Sequence, residues 1–212
     1  MADTVDGVDE QDRDHTEEVL AAALVLLLAT AAVTAPFLAL TKARLSGLLS
    51  MFMERSASDL AGAAGLDAAD AAQVTDQAVK GLLPQVERHT ADWLAEAVRD
   101  RAAKLGLGRS EAIGRTEAES AAGMIARTLT TYVREAVREV VAVALGAVAK
   151  RWRTRADSHV RPQHAGMENQ RQKLGRPFLA PDGTKLQRPG DPAAPLAQIA
   201  GCRCRTVFEL PA

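Results

Sequence analysis

Residues 111–152 read EAIGRTEAESAAGMIARTLTTYVREAVREVVAVALGAVAKRW. Ala118, Ala121, Ala122, Ile125, Leu129, Val133, Ala136, Val137, Val140 and Val141 recur at steps of three and four, the period of one helix face. Glu135 and Glu139 alternate with Arg134 and Arg138 along the polar side. The spacing therefore predicts one long amphipathic packing helix over 111–152. Leu105-Gly106-Leu107-Gly108 marks a turn before it, and Ser110 stands where an N-cap belongs. After Trp152 the texture changes: residues 153–212 hold seven of the nine prolines and no long periodic segment.

Upstream, the same reasoning gives more helix. Trp93, Leu94, Ala97 and Val98 predict a helix over 90–104. Ala71, Val74, Ala78 and Leu82 predict another over 67–83, which Pro84 ends or kinks. Gly62 and Gly65 mark a break. Leu45, Leu48, Leu49, Phe52 and Met53 predict a helix over 41–58 that continues the uncharged run Val19–Leu40. That run has 22 residues, including seven Leu, three Val and Phe37, and those eleven contribute roughly −3 to −6 kcal/mol to membrane insertion. Two readings are open. The run spans a bilayer, with Lys42 and Arg44 keeping the C-terminal side in the cytoplasm, or it is a helix buried on all sides by protein. The acidic residues before it exclude a signal peptide. The organisation predicted is a disordered acidic tail over 1–18, the apolar helix and its continuation over 19–58, a helical body over 59–152, and a compact module over 153–212.

Composition narrows the class. Aromatic residues make up 3% of the 212 residues, too few for a β-sandwich core or for base-stacking nucleic-acid modules. Alanine dominates and favours helix. The net charge of −1 conceals a gradient. Residues 1–18 carry eight acids against one arginine, and residues 149–212 carry twelve Lys/Arg against five acids. The basic end suits an acidic partner or nucleic acid, or is a solvated surface. The fold class predicted is mainly α: a long helical body followed by a small, loop-rich α+β module. Phe178-Leu179-Ala180, Pro181-Asp182-Gly183 and Thr184-Lys185-Leu186 predict a hairpin in that module.

A module of about 60 residues buries little apolar surface and often needs a staple. Asp157, His159 and His164 stand near its start, and Cys202 and Cys204, the only cysteines, near its end. Cys-X-Cys is awkward as a disulfide. On a strand spanning Ile199–Phe208, both thiols would point to one face. Two thiolates with one or two imidazoles, or an aspartate, suit tetrahedral zinc. Hydrogen-bonded structural residues and a redox or catalytic thiol are the competing readings. The chain contains no nucleophile elbow, phosphate loop, zincin helix or dinucleotide fingerprint, so no catalytic constellation emerges and the chain reads as a non-enzyme.

Two blocks carry a family resemblance. The first is Ile113-Gly114-Arg115-Thr116-Glu117-Ala118. The second is Lys150-Arg151-Trp152, then Thr154, Asp157, Val160-Arg161, His164 and Gly166, continuing to Phe178, Pro189 and Cys202-Arg203-Cys204. Their order resembles the Mu F-like minor head proteins of tailed bacteriophages, which act in head morphogenesis. His159 stands where the family more often has a basic residue, which leaves His164 the better ligand. The resemblance covers about residues 109–208. It implies a virion protein of the head interior, present in the host cytoplasm before assembly. It implies a portal or capsid partner, an oligomeric assembly, and basic residues 150–205 facing packaged DNA. A membrane-anchored phage or bacterial protein with a cytoplasmic metal-binding module, touching the membrane through 19–40, is the alternative reading.

Overall fold

In the computed structural model of the chain, the described residues are 65–105 and 115–211, with 47, 49–51, 53–55, 57–59 and 61–62 upstream. The acidic tail 1–18, the apolar run 19–40, the turn at 106–108, Ser110 and Ile113-Gly114 lie outside them. The described residues between 47 and 62 are helical, and Leu49, Met53 and Ala57 bury one face at the expected four-residue step. Among the described residues no helix is long and apolar enough to cross a membrane.

The fold is mainly α with a small C-terminal α+β module, as composition and periodicity predict. Helix α1 spans Ala68–Leu105. Asp67 caps it, its carboxylate accepting the Ala69 and Asp70 N–H groups at 2.9 Å. Two separate helices at 67–83 and 90–104 are not what forms. Pro84 lies inside α1 and does not end it. Gly81, Pro84 and Gln85 are not buried, so a carbonyl that loses its partner there can be hydrated. Val74, Ala78, Val86 and Trp93 of the same helix are meanwhile buried.

Helix α2, Arg115–Ala144, packs against α1. Tyr132 meets the ring of Trp93 edge-on at 6.0 Å. Periodicity alone would carry α2 on to Trp152, but the chain leaves it at Ala144. Gly146 adopts a left-handed φ of 76°. Its N–H donates to Val143, and that of Ala147 donates to Ala142. These are the paired bonds of a Schellman ending. The chain then enters strand β1, Ala149–Arg153, so Lys150, Arg151 and Trp152 belong to the sheet of the C-terminal module.

That module continues with a one-turn helix α3, Pro162–Ala165, and the strand β2, Arg171–Lys173. The predicted hairpin forms as β3, Phe178–Leu179, paired with β4, Lys185–Leu186. A second one-turn helix α4, Leu196–Ile199, leads to β5, Arg205–Glu209. Strands β2, β1 and β5 lie antiparallel in that order. Lys150, Trp152, Thr206 and Phe208 point inward; Trp152 joins the core of Met167, Phe178, Leu186 and Ile199, while Phe208 packs with Ala142 and Ala147 in a second cluster.

The polar side of α2 is not solvated. Thr128, Thr131, Glu135 and Arg138 are buried, and their steps of three and four place them on one stripe. Strand β5 is an edge strand, and the Trp152–Thr206 register turns the Thr206 N–H and carbonyl away from β1. Glu135 accepts that N–H at 2.7 Å, and Arg138 donates to that carbonyl at 3.0 Å. The helix thus satisfies an edge that would otherwise be open. Removing one partner of a buried pair strands the other, so Arg138→Met should destabilise the fold by about 3–5 kcal/mol. Lys80→Met, at the exposed Lys80–Asp76 pair, should change it by less than about 0.5 kcal/mol. Urea unfolding monitored by circular dichroism checks both, and equal effects would refute the clamp.

Candidate metal centre

Cys202 is reached through a loop that two elements hold. Gly201 adopts a φ of 61°, a left-handed conformation that lets the chain turn out of α4. From one side, α2 grips this turn. The Gly201 N–H donates to the Thr128 hydroxyl at 2.9 Å, and the Thr131 hydroxyl donates to the Cys202 carbonyl at 2.5 Å. From the other side, the Arg161 guanidinium donates to the carbonyls of Ala197 (3.0 Å), Gln198 and Ala200. These are carbonyls at the end of α4, where a cation is favoured. Cys202 and Cys204 lie before β5 rather than within a strand over Ile199–Phe208, because the turn at Gly201 prevents extension there.

His164 comes from α3. Pro162 at the first helical position presets the backbone. The His164 Nδ1 stands 3.5 Å from the sulfur of Cys202 and 3.5 Å from that of Cys204. All three residues are buried, and their ligand atoms lie within 4.8 Å of one another. The Nε2 atom of His164 is buried without a hydrogen-bond partner. The Trp152 ring meets the imidazole edge-on at 5.3 Å and also packs on Phe178 at 5.3 Å.

The thiols are electronically unlike. The hydrogen bond from Cys204 holds Cys202 well below the usual thiol range, against the opposing effect of burial, and His164 pulls it in the same downward direction. That same bond, then burial, pushes the Cys204 thiol up, and the Trp152 indole N–H acts weakly the other way. Of the two sulfurs, that of Cys202 is therefore the more readily deprotonated. A buried cluster of two sulfurs and one imidazole nitrogen is thus assembled, and it could bind a metal.

Of the four residues predicted as ligands, His164, Cys202 and Cys204 come together and Asp157 does not join them. Its carboxylate pairs with Arg203 at 2.8 Å and accepts the His159 N–H at 3.0 Å. It is a brace between the start of the module and the Cys-Arg-Cys segment. His159 is exposed, but it lines the same small cavity as His164, Arg161, Cys202, Arg203 and Cys204. That cavity, about 20 Å³, has room for one water-sized group. Thr154 donates its N–H to Glu168 at 2.5 Å. Arg115, Thr116 and Glu117 open α2. Sequence reasoning missed Thr128 and Thr131. The signal that could have found them was their place on the same polar stripe as Glu135 and Arg138.

No family model, curated protein or solved structure matches the chain.

Arg161 touches no ligand atom, so it acts as a positioning residue through the loop that carries Cys202. Arg161→Met should weaken metal binding by about 10- to 100-fold while leaving the helical circular dichroism signal intact. Competition against a chromophoric chelator measures this, and an unchanged affinity would remove the positioning role.

Proposed function

We propose that the chain is a minor head protein of a tailed phage. In this reading it is a structural component docked near the portal, oligomeric in the assembly, with a zinc-stapled C-terminal module. One observation carries the reading. The residues that resemble the Mu F-like pattern, spread from Trp152 to Cys204, converge in space around one buried cluster. Trp152 packs on His164 and Phe178, Arg161 holds the loop to Cys202, and Arg203 pairs with Asp157. Residues spaced for a shared job, rather than by chance likeness, are expected to meet in this way.

The metal assignment rests on geometry. Zinc at about 2.3 Å from sulfur and about 2.05 Å from nitrogen, in tetrahedral array, separates N from S by about 3.5 Å. His164 Nδ1 stands at that distance from both sulfurs. Soft thiolates and an imidazole select zinc over calcium or magnesium. The small cavity beside the cluster would give a water molecule room to serve as a fourth ligand. Zinc's role here is to cross-link α3 to the Cys loop, and the chain's role is assembly rather than catalysis. Inside the head, its basic end faces packaged DNA.

Purified protein should carry about one zinc per chain by elemental analysis. Cys202→Ser/Cys204→Ser should lose the zinc and the folded C-terminal module together. A folded, unchelated sample with almost no metal would sink the zinc assignment. The head-protein reading is tested separately. The chain should co-elute with its cognate portal protein on size exclusion and appear in purified particles by mass spectrometry. Absence from both would overturn it.

A further inference from the structure

Alternate residues make up the other face of the three-stranded sheet: Ala149, Arg151 and Arg153 on β1, Arg171 and Lys173 on β2, and Arg205, Val207 and Glu209 on β5, with Ala149 buried at one end. The register puts Arg151 directly opposite Arg171 and Arg153 directly opposite Arg205. Like charges in cross-strand pairs oppose folding, so the needs of the fold alone do not account for this arrangement. Two carboxylates temper it. Glu209 bridges Arg151 at 3.1 Å and Arg171 at 2.8 Å, and Glu168 pairs with Arg153 at 3.2 Å. Five cations stand on this face, and these two carboxylates bridge three of them. The face is about 10 Å wide across its three strands.

We propose that this sheet face binds the phosphate backbone of duplex DNA. It deepens the DNA-facing part of the function proposed above by naming the surface. The shape of the face selects the ligand. Trp152 and Phe208 point into the core, and among those eight positions only Val207 and the buried Ala149 are apolar. No aromatic ring is offered there for unstacked bases, which single-strand binders require. What remains is a flat array of guanidinium and ammonium donors, which contacts phosphates and reads no sequence. About 10 Å of duplex axis carries roughly six phosphate charges over both strands, and those on the near side meet part of this array. The two bridging arginines keep donors to spare while Glu209 holds their guanidinium groups in place.

The experiment is fluorescence anisotropy of the full chain with a labelled duplex of arbitrary sequence, titrated across salt. Binding should weaken as salt rises, with equal affinity for unrelated sequences. Arg171→Gln/Lys173→Gln should lower the salt slope by about two and weaken binding on the order of tenfold in ~0.1 M salt. Lys173→Gln alone, which leaves the Glu209 bridges intact, should lower the slope by about one. Lys185→Gln, on the hairpin, should leave it unchanged. Melting curves of each variant confirm that the sheet is folded. No salt-dependent duplex binding by the wild-type chain, or an unchanged slope in the folded Lys173→Gln protein, overturns the proposal. So does preference for single-stranded oligothymidine, or capture by anionic phosphatidylserine vesicles in place of duplex. Portal co-elution of the same variants keeps the two failures apart. A chain that docks on the portal yet ignores DNA refutes this surface and leaves the assembly role standing.

Discussion

Thr206 sits on the edge strand of a small sheet with its N–H and carbonyl turned away from the neighbouring strand. Glu135 and Arg138, three residues apart on α2, take up that N–H and that carbonyl. A helix thereby does for β5 what a further strand would have done, and does it with buried charges. Such groups are tolerated only when they are paired and hydrogen-bonded. The clamp fixes the rotation of α2, because only one stripe of the helix carries the two residues. Everything else on that stripe is then aimed at the same module.

Thr128 and Thr131 are the consequence of greatest interest. They lie one to two turns earlier on the stripe, and they meet the loop that delivers Cys202. Arg161 grips the same loop from the opposite side by the carbonyls of α4. The two sulfurs and the His164 imidazole are therefore brought together by hydrogen bonds from outside the cluster. A metal entering such a site finds its ligands gathered, and its binding energy need not be spent on ordering them. Helix α2 is accordingly no mere packing element. It carries the apolar contacts to α1 on one side and the polar anchors of the candidate centre on the other.

The module also separates its two kinds of surface. The inner sheet face carries Lys150, Trp152, Thr206 and Phe208, and even its cation is put to structural use. Lys150 donates to the Gln187 carbonyl at 2.6 Å, pairs with Glu139 at 3.6 Å and lies over the Phe178 ring. The outer face carries the net positive charge. Alternation along three short strands is enough to sort a buried network from a basic surface.

Much of this could be read from the residues. The apolar steps from Ile125 to Val141 showed a long helix, the Pro181-Asp182-Gly183 turn showed a hairpin, and His164, Cys202 and Cys204 stood out as candidate ligands. Those signals are local, or depend on residue chemistry that survives any fold. Periodicity overran the end of α2 because it counts apolar residues and is blind to a positive φ at Gly146. It split α1 at Pro84, although a helix can lose one hydrogen bond when packing elsewhere compensates. The chemistry of Asp157 alone would let it join the ligands. Only the folded chain shows that carboxylate already bound to Arg203. The sequence by itself determined the helical class, the small C-terminal α+β part, and the residue types of the candidate centre. The tertiary structure alone decided which donors meet, which polar residues of α2 are buried, and which face of the sheet keeps its charge. Those are relations between residues tens of positions apart, and packing, not spacing along the chain, sets them.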